Sequence, residues 1–343
     1  MVMFLGLLIF AFVITSILVV PFINLLYKMR FLRQKQKTKD FLGNHSRIFD
    51  RFNAHKAGTP VGGGLLIIAT VSLLYALILP LISFLGVFVT AVYPMKEELN
   101  VLFFCFLSFG ILGLYDDLMK FFGFEQNGFF GLRLRHKLII QAVLAVIIAF
   151  LLYQNLGVNF VHIPFYGILH LGWGYIPFAA AVIVAFANAF NITDGLDGLA
   201  PGLLMICLFA FWALSSQILD TTLSVFLSLW IGSLIAFLYF NVYPARVWLG
   251  DVGALSFGAT LAVVGLLMGK VIALVVIGGI FVLEAAGSLL QIVSKRFRGK
   301  KIFPVAPFHL WLQLIGWPEP KVVLRVWLAG LMLALFGLWL AVI

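Results

Sequence analysis

Charged side chains are scarce in this sequence. They make up 10% of its 343 residues, whereas soluble domains carry roughly 25%. Cysteine is nearly absent as well: Cys105 and Cys207 are the only two, and both lie in apolar stretches. These numbers exclude a disulfide framework and a zinc-binding spacing. No hydrophilic stretch of domain size interrupts the chain, so we expect no separate soluble domain.

Long hydrophobic runs are abundant instead. Hydrophobic residues make up 63% of the chain, and the mean hydropathy is +1.13. A bilayer core requires about 20 apolar residues per helix. The sequence therefore predicts an all-α polytopic membrane protein, a single integral-membrane domain over 1–343 with about ten spans. The predicted spans are 3–27, 62–92, 100–119, 136–154, 174–190, 200–218, 222–241, 253–269, 271–293 and 322–343.

Lysine and arginine are distributed unevenly between the loops. Of the 23 in the chain, only Lys96 and Lys270 fall on one side of the predicted bundle. The positive-inside rule assigns the basic side to the cytoplasm, so both termini are predicted to be external. The net charge of +10 is thus interpreted as membrane orientation, and no nucleic-acid partner is expected. The external segment 155–173, with alternating aromatic and branched residues, predicts a short hairpin.

The chain has only 13 acidic residues, so their positions are informative. We interpret Glu97, Glu98 and Asp220 as solvated charges in outer loops, and the role of Glu284 inside the ninth span stays open. A carboxylate at membrane depth is energetically unfavourable and indicates a functional site. The informative set lies at the predicted cytoplasmic ends of the spans and comprises Asp116, Asp117, Asp194, Asp197 and Asp251.

Each of these acids also has a structural alternative. Neighbouring helical residues point about 100° apart, so Asp116 and Asp117 are predicted to face different partners. The alternative is a helix-end acid pair with Lys120 as a surface partner. For Asp251, which is predicted to begin the eighth span, the alternative is a helix N-cap.

The segment NAFNITDGLDGLAPG joins the fifth and sixth spans. Asp194 and Asp197 are three residues apart and are predicted to share a helix face, with Asn188 and Asn191 adding polar groups. The N-terminus of the following helix favours a phosphate; a plain capped turn is the alternative. Hard oxygen ligands of this kind suit Mg²⁺. The acids do not run across the bilayer, which argues against a proton path.

Several motifs together resemble a known family. They are KAGTPVGGG, YDDLMK, NAFNITDGLDGLAPG, NVYPARVWLGDVGALSFG, GKKIFPVAPFH and GWPEPKVVLRVW. On these motifs the chain resembles the phospho-N-acetylmuramoyl-pentapeptide-transferases, within the polyprenyl-phosphate sugar-1-phosphate transferase superfamily. The resemblance covers nearly the whole chain. It implies ten transmembrane helices with external termini, in a bacterial plasma membrane with a cytoplasmic active site.

The resemblance also implies a reaction and its residues. The donor would be UDP-N-acetylmuramoyl-pentapeptide, the acceptor undecaprenyl phosphate in the membrane lipid, and the cofactor Mg²⁺, with lipid I and UMP as products. Asp116, Asp117 and Asp251 would be catalytic, and Asp251 and Asp194 would bind the metal. The implied substrate-binding residues are Lys56, Lys120, Lys137, Asn188, Asn191, Asp194, Asp197 and His309. A homodimer is one alternative for the assembly.

One segment departs from the family pattern. The family carries three consecutive histidines followed by Phe-Glu; His309 matches the first, Leu310 and Trp311 replace the other two, and Gln313 replaces the glutamate. A related transferase that uses another UDP-N-acetylhexosamine donor is therefore an alternative. A membrane transporter is a further one, since the composition and the spans also permit it.

Overall fold

A computed structural model describes residues 2–33, 50, 52, 56–86, 89–121, 132 and 134–343 of the chain. The described part is a helical bundle with one small hairpin. Its helices are α1 (Val2–Lys28), α2 (Gly63–Phe84), α3 (Met95–Phe121), α4 (Leu134–Leu156), α5 (Tyr175–Thr193), α6 (Leu199–Gln217), α7 (Thr221–Asn241), α8 (Gly250–Leu267), α9 (Val271–Ile277), α10 (Gly279–Arg298), α11 (Phe308–Leu314) and α12 (Glu319–Val342). The strands are β1 (Phe160–Ile163) and β2 (Gly167–His170).

The predicted all-α membrane architecture is confirmed. Within the described residues, nine helices are long and apolar enough to cross a bilayer, and α9 with α10 forms a tenth, bent candidate. Helices α7 and α8 are buried along almost their whole length, whereas α1 exposes Ile9, Ile17 and other large apolar side chains. Apolar side chains on the outside of a bundle are expected where lipid, not water, is the solvent.

Small residues allow the central helices to approach closely. A Cβ on Gly64 would collide with the backbone of Gly253, so α2 and α8 can meet only because both positions are glycine. Gly232 of α7 lies in the same way against the backbone of Leu8 in α1. This is the packing expected of helices in membranes, where close backbone contact replaces the hydrophobic effect as the source of association.

The predicted ninth span, 271–293, is not one straight helix. Helices α9 and α10 are inclined by 80° to each other, with the break at the adjacent residues Gly278 and Gly279. Glycine weakens a helix interior, and a pair of glycines is a common site of a kink. As a result α10 carries Glu284, Gln291 and the basic residues of its last turn in a direction that no straight span would take.

The bundle has two distinct ends. The hairpin, in which Phe160 pairs with His170 and Ile163 with Gly167, lies at one of them, which we call the hairpin end. Phe165 in its turn contacts Trp339, so the C-terminal turn of α12 lies at the same end. The hairpin predicted within 155–173 is thus present. The opposite end, which holds the last turn of α3 and the first turn of α8, is called the site end.

The prediction that Glu98 and Asp220 are solvated is wrong. Glu98 has no exposed surface and Asp220 is 2% exposed, because the segment before α3 folds over the turn between α6 and α7. Thr221 donates its backbone N–H to the carbonyl of Thr90 at 2.9 Å, and the Tyr93 hydroxyl donates to the carbonyl of Leu267. Glu97 is half-exposed, in agreement with its predicted environment.

Candidate active site

The C-terminal part of α3 packs closely against the first turn of α8 because residue 113 is glycine. A Cβ on Gly113 would overlap the Asp251 carbonyl, so glycine is required for this approach. The contact brings Asp116 and Asp117, one turn further along α3, next to the start of α8. Asp117 accepts the backbone N–H of Val252 at 3.1 Å, whereas Asp116 accepts that of Leu132 at 2.7 Å. The two neighbours thus face different partners, as their angular separation predicted.

Asp251 is the centre of a partly buried charge cluster. Its Oδ2 accepts from Lys120 at 2.8 Å and from Lys137 at 2.5 Å. Both ammonium groups also lie 3.0 Å from Oδ2 of Asp116. Asp251 is not a helix N-cap, because Leu249 occupies that position. We name Asp116, Asp117, Lys120, Lys137 and Asp251 the acid–lysine cluster. Lys120 is a partly buried member of this cluster and contacts Asp251 as well as Asp116, so it is more than a surface counter-ion.

The end of α5 supplies amides to the cluster. Asn191 donates its Nδ2 to Asp251 Oδ1 at 3.1 Å. Asn188, one turn earlier, donates instead to the side chain of Gln141 on α4 at 2.7 Å. Both asparagines lie within α5, because this helix continues to Thr193 and not to 190 as predicted. Helix α5 therefore carries Asn191 directly into the cluster and Asn188 alongside it.

The expectation that Asp194 and Asp197 share a helix face is wrong. Residues 194–198 form a turn between α5 and α6, and Gly198 has a φ of +77° that ends any helical continuity. The two side chains diverge as a result. Asp194 is half-buried; burial and the neighbouring Asp251 and Asp197 carboxylates raise its pKa to about 7. Asp197 turns away and is almost completely buried.

Asp197 belongs to a second buried ion group. Lys56 Nζ lies 2.8 Å from Asp197 Oδ1 and 2.5 Å from Oε1 of Glu319, the first residue of α12. Glu319 was not singled out from the sequence, since an acidic residue in the first turn of a helix is ordinary. The indole of Trp248 lies beside this group, with the Lys56 ammonium 5.0 Å from the ring centre and the Arg33 guanidinium 4.2 Å from it.

His309 lies apart from the acid–lysine cluster in the described contacts. It is 1% exposed, and its backbone N–H donates to Glu284 Oε1 at 3.1 Å. Its ring Nδ1 lies 3.3 Å from Glu284 Oε2. The other ring nitrogen faces Gly195, where a Cβ would strike it. Glu284, whose role was open, thus holds the start of α11, and His309 contacts the turn that carries Asp194 and Asp197.

The substituted positions after His309 have different surroundings. Leu310 is buried, and Gln313 is buried with no hydrogen-bond partner for its Oε1. Trp311 lines an apolar groove of about 340 Å³ between α10 and the segment that precedes α11. The other residues of this groove are Leu283, Ala286, Gly287, Leu290, Phe303, Val305, Ala306 and Phe308. Such a lining suits a hydrocarbon chain better than a sugar or a peptide.

The site has the oxygen donors that a magnesium ion requires. Within the described ranges, no three Asp, Glu, His or Cys side chains form a metal-binding group. Mg²⁺, however, commonly binds only one or two carboxylates, together with substrate phosphates and water. Asp251 and the neighbouring Asp116, Asp117 and Asn191 are hard oxygen donors of this type. The residues present therefore fit Mg²⁺ with a bound diphosphate.

Comparisons with known proteins identify the family of the chain. A family model described as glycosyl transferase family 4 matches residues 99–269. A phospho-N-acetylmuramoyl-pentapeptide-transferase of Halalkalibacterium halodurans is 34% identical over 98% of this chain and 96% of its own length. Proteins of the same name from Caldanaerobacter subterraneus and Bacillus subtilis are 38% and 35% identical, over 82% and 84% of this chain and 83% and 85% of theirs. The chain belongs to the phospho-N-acetylmuramoyl-pentapeptide-transferase family.

Proposed function

We propose that this protein transfers phospho-N-acetylmuramoyl-pentapeptide from its UDP conjugate to a polyprenyl phosphate, which yields lipid I and UMP for peptidoglycan synthesis. The observation that carries the proposal is the acid–lysine cluster: three carboxylates and two ammonium groups from three helices meet at one end of a membrane bundle. Its relatives along nearly the whole chain bear the name of this activity.

The lysines of the cluster are suited to hold phosphate groups. Lys120 and Lys137 are 25% and 11% exposed and already share two carboxylates, so both remain protonated and point into one place. A diphosphate that enters the cluster would find two cations there, together with the amide of Asn191. At the start of α8, the backbone N–H of Val252 is not free to bind a phosphate, because it donates to Asp117.

The carboxylates have separate tasks in the proposed reaction. An oxygen of the polyprenyl phosphate attacks the β-phosphorus of the donor, the bond to the bridging oxygen breaks, and UMP leaves with the electron pair. Asp116 or Asp117 would orient the acceptor phosphate, which is largely dianionic near pH 7 because its second pKa is about 6. Positioning therefore contributes more than proton removal. When bound at Asp251, Mg²⁺ would neutralise charge on the diphosphate.

A two-step route, in which a carboxylate first takes the phospho-sugar, is the alternative mechanism. Rapid quenching with donor labelled in the sugar separates the two routes. Direct displacement leaves no label on the protein at any time. Labelled protein that forms and decays at the rate of turnover would replace direct displacement by the two-step route.

The membrane setting of the proposal follows from charge. The chain is a multi-pass bacterial membrane protein, and the basic ends of its helices lie at the site end: Lys28 ends α1 and Lys295, Arg296 and Arg298 end α10. The positive-inside rule supports a cytoplasmic site end, where a nucleotide donor is available. A homodimer remains a separate prediction, which the mass of the detergent-solubilised protein would test.

The decisive assay is UMP release by purified protein in detergent. UDP-N-acetylmuramoyl-pentapeptide and undecaprenyl phosphate are supplied with and without Mg²⁺, and Asp251→Ala is the control. We expect release that requires the metal and is lost in the variant. A folded protein that releases no UMP under these conditions would refute the proposal. Release that persists after complete removal of divalent ions would refute its Mg²⁺ part alone.

A second donor is favoured by one observation. Leu310 and Trp311 stand at two positions where the family carries histidine. Leu310 is buried and Trp311 lines an apolar groove. A related transferase that accepts a UDP-N-acetylhexosamine without peptide would need fewer polar contacts there. The same assay with UDP-N-acetylglucosamine distinguishes the two: turnover of this donor and none of the muramoyl-pentapeptide would favour the second function.

A further inference from the structure

Glu319 is a buried carboxylate that the proposed reaction does not use. It begins α12 and is 7% exposed. Its Oε1 accepts from Lys56 Nζ and, at 2.6 Å, from the backbone N–H of Asp197. Glu319 and Lys56 are separated by 263 positions in sequence. One oxygen of one side chain thus ties the start of the last helix to two distant segments of the site end.

The partners of Glu319 are themselves held from several sides. Asp197 Oδ1 binds Lys56, and Asp197 Oδ2 accepts the backbone N–H of Ala245 at 2.9 Å. The next residue, Gly198, donates its backbone N–H to Asn241 at the end of α7. Lys56 is buried over all but 3% of its side chain. Four segments are therefore fixed to the turn 194–198 through Asp197 or Gly198, and they are those that carry Lys56, Glu319, Ala245 and Asn241.

The turn 194–198 has an active-site residue at its other end. Asp194 follows directly on the helix that presents Asn191 to Asp251, and its electrostatic neighbours include Asp251, Asp117 and Arg33. A change of backbone direction at Asp197 would be transmitted to Asp194 over three peptide bonds. Two buried carboxylates and one buried lysine are an energetically expensive way to hold a turn, since desolvation opposes each of the three charges. A purely structural contact could be apolar.

We propose that Glu319 is a positioning residue that acts through Asp197 and Lys56 to set the turn 194–198 for the nucleotide donor. The role rests on the proposed function, because the donor is the substrate that this turn would meet. It predicts a selective defect: the turn should affect binding of the donor and leave the polyprenyl acceptor unaffected. Charge at Glu319 matters as well as shape, because its oxygen accepts from an ammonium group.

The test combines a kinetic and a structural measurement on Glu319→Gln, Glu319→Leu, Lys56→Met and the double variant Lys56→Met/Glu319→Gln. The control is Glu97→Gln, the same chemical change at a half-exposed glutamate of the hairpin end. Glu319→Leu should raise the KM for the donor on the order of tenfold to a hundredfold, as for loss of a charged hydrogen bond, with the KM for the acceptor unchanged. Glu319→Gln, which keeps an acceptor oxygen, should be milder.

Coupling separates positioning from general damage. If Glu319 acts through Lys56, the double variant should be no worse than the more severe of its two single variants. Multiplied losses, or equal losses for donor and acceptor, would overturn the proposal. So would wild-type donor kinetics in a folded Glu319→Leu protein.

Hydrogen exchange followed by mass spectrometry provides a readout that requires no catalysis. The peptide that covers 194–199 should exchange at least about tenfold faster in Glu319→Leu than in the wild type, while a peptide from the middle of α8 stays unchanged. Unchanged exchange at 194–199 would refute the positioning role even if the protein proved inactive. If the wild type has no transferase activity but Glu319→Leu still exchanges faster at 194–199, the proposed function is refuted. The role of Glu319 in holding this turn would then still be established.

Discussion

The two ends of this bundle both bury carboxylates, but they balance the charge in different ways. At the site end, Asp116 and Asp251 lie within 3.0 Å of lysine ammonium groups. At the hairpin end, Glu98 and Asp220 face each other at hydrogen-bonding range. No described lysine or arginine is paired with them there: the charged or titratable neighbours of the pair are Tyr75 and Tyr93.

The difference separates carboxylates that are balanced by lysines from a carboxyl pair that has no such cation. Two carboxylates in contact repel unless a proton or a cation lies between them. Both oxygens of Glu98 lack a conventional donor, and burial raises the pKa of Asp220. The pair is therefore expected to share one proton and to act as a structural contact. The acid–lysine cluster instead pairs Asp116 and Asp251 with ammonium groups, and these contacts can be exchanged for contacts with other cations or with a phosphate ligand.

The largest effect expected from this comparison is loss of activity in Asp251→Asn. The change removes the charge that both Lys120 and Lys137 contact, so their positions and that of a metal would be lost together. We expect UMP release to fall by about 10²–10³-fold, the range found when a single stabilising group is removed from a transition state. Initial rates with saturating donor and acceptor measure it.

The control for Asp251→Asn is Glu98→Gln, a carboxylate-to-amide change at the opposite end. Its activity should stay within about threefold of the wild type, since a group that makes no contact with the reaction cannot contribute transition-state stabilisation. Similar losses in both variants would mean that the comparison between the ends is mistaken.

A smaller effect is expected from Lys137→Met. The side chain retains its length and apolar body but loses the cation next to Asp116 and Asp251. A charged hydrogen bond contributes about 1.5–3 kcal/mol, so kcat/KM for the donor should fall by roughly tenfold to a hundredfold. Thermal unfolding in detergent, followed by circular dichroism, should be run in parallel, because the two carboxylates left behind will also destabilise the fold. An unchanged kcat/KM would show that the lysine is only a structural counter-ion.

The acid–lysine cluster could be predicted from the sequence more completely than the carboxyl pair of Glu98 and Asp220. Asp116, Asp117, Asn191 and Asp251 lie near glycines and helix ends, where local patterns determine direction, and they do converge. Glu98 and Asp220 could not be placed, because their burial depends on how the segment with Thr90 folds over another turn.

Pairs of residues that are distant in the sequence could not be predicted for a related reason. Glu284 meets His309 only because the helix pair α9 and α10 is bent by 80°, and hydropathy alone indicates a straight span. Glu319 meets Lys56 across most of the chain, and Asp197 could be assigned to this group only after its turn was known not to be helical. Composition and periodicity predict which segments form helices; they do not specify which side chains meet between them.

The shared proton at the hairpin end makes a prediction for stability against pH. A carboxyl whose pKa is raised by folding binds its proton more tightly in the folded protein. Its contribution is complete below the unfolded value of about 3.9 for Asp and is lost as pH rises towards the raised value. The apparent Tm of the wild type should therefore fall more steeply than that of Glu98→Gln as the pH rises above about 4. Parallel curves for the two proteins would exclude a shared proton.

The contribution of the Glu98–Asp220 contact to stability is tested by Glu98→Ala. Alanine leaves a cavity and removes the partner of Asp220, which together should lower stability by about 1–3 kcal/mol. Glutamine, which keeps the volume and can donate an N–H to Asp220, should be much closer to the wild type. The apparent Tm in one detergent at a single pH measures both. An alanine variant as stable as the glutamine variant would mean that Glu98 contributes no specific contact.

The smallest effect is expected at the residue next in sequence to Glu98. Glu97 is half-exposed and accepts from Asn155 Nδ2 at 2.9 Å, a contact that water can replace and that the amide of glutamine can also make. Glu97→Gln should change stability by no more than about 0.5 kcal/mol, as is usual for surface substitutions, and should not alter the slope of Tm against pH. Adjacent glutamates with such different responses would show that helix face, not position in the sequence, decides which acid is buried. A Glu97→Gln variant as perturbed as Glu98→Ala would place the two side chains in one environment, contrary to the packing of α3.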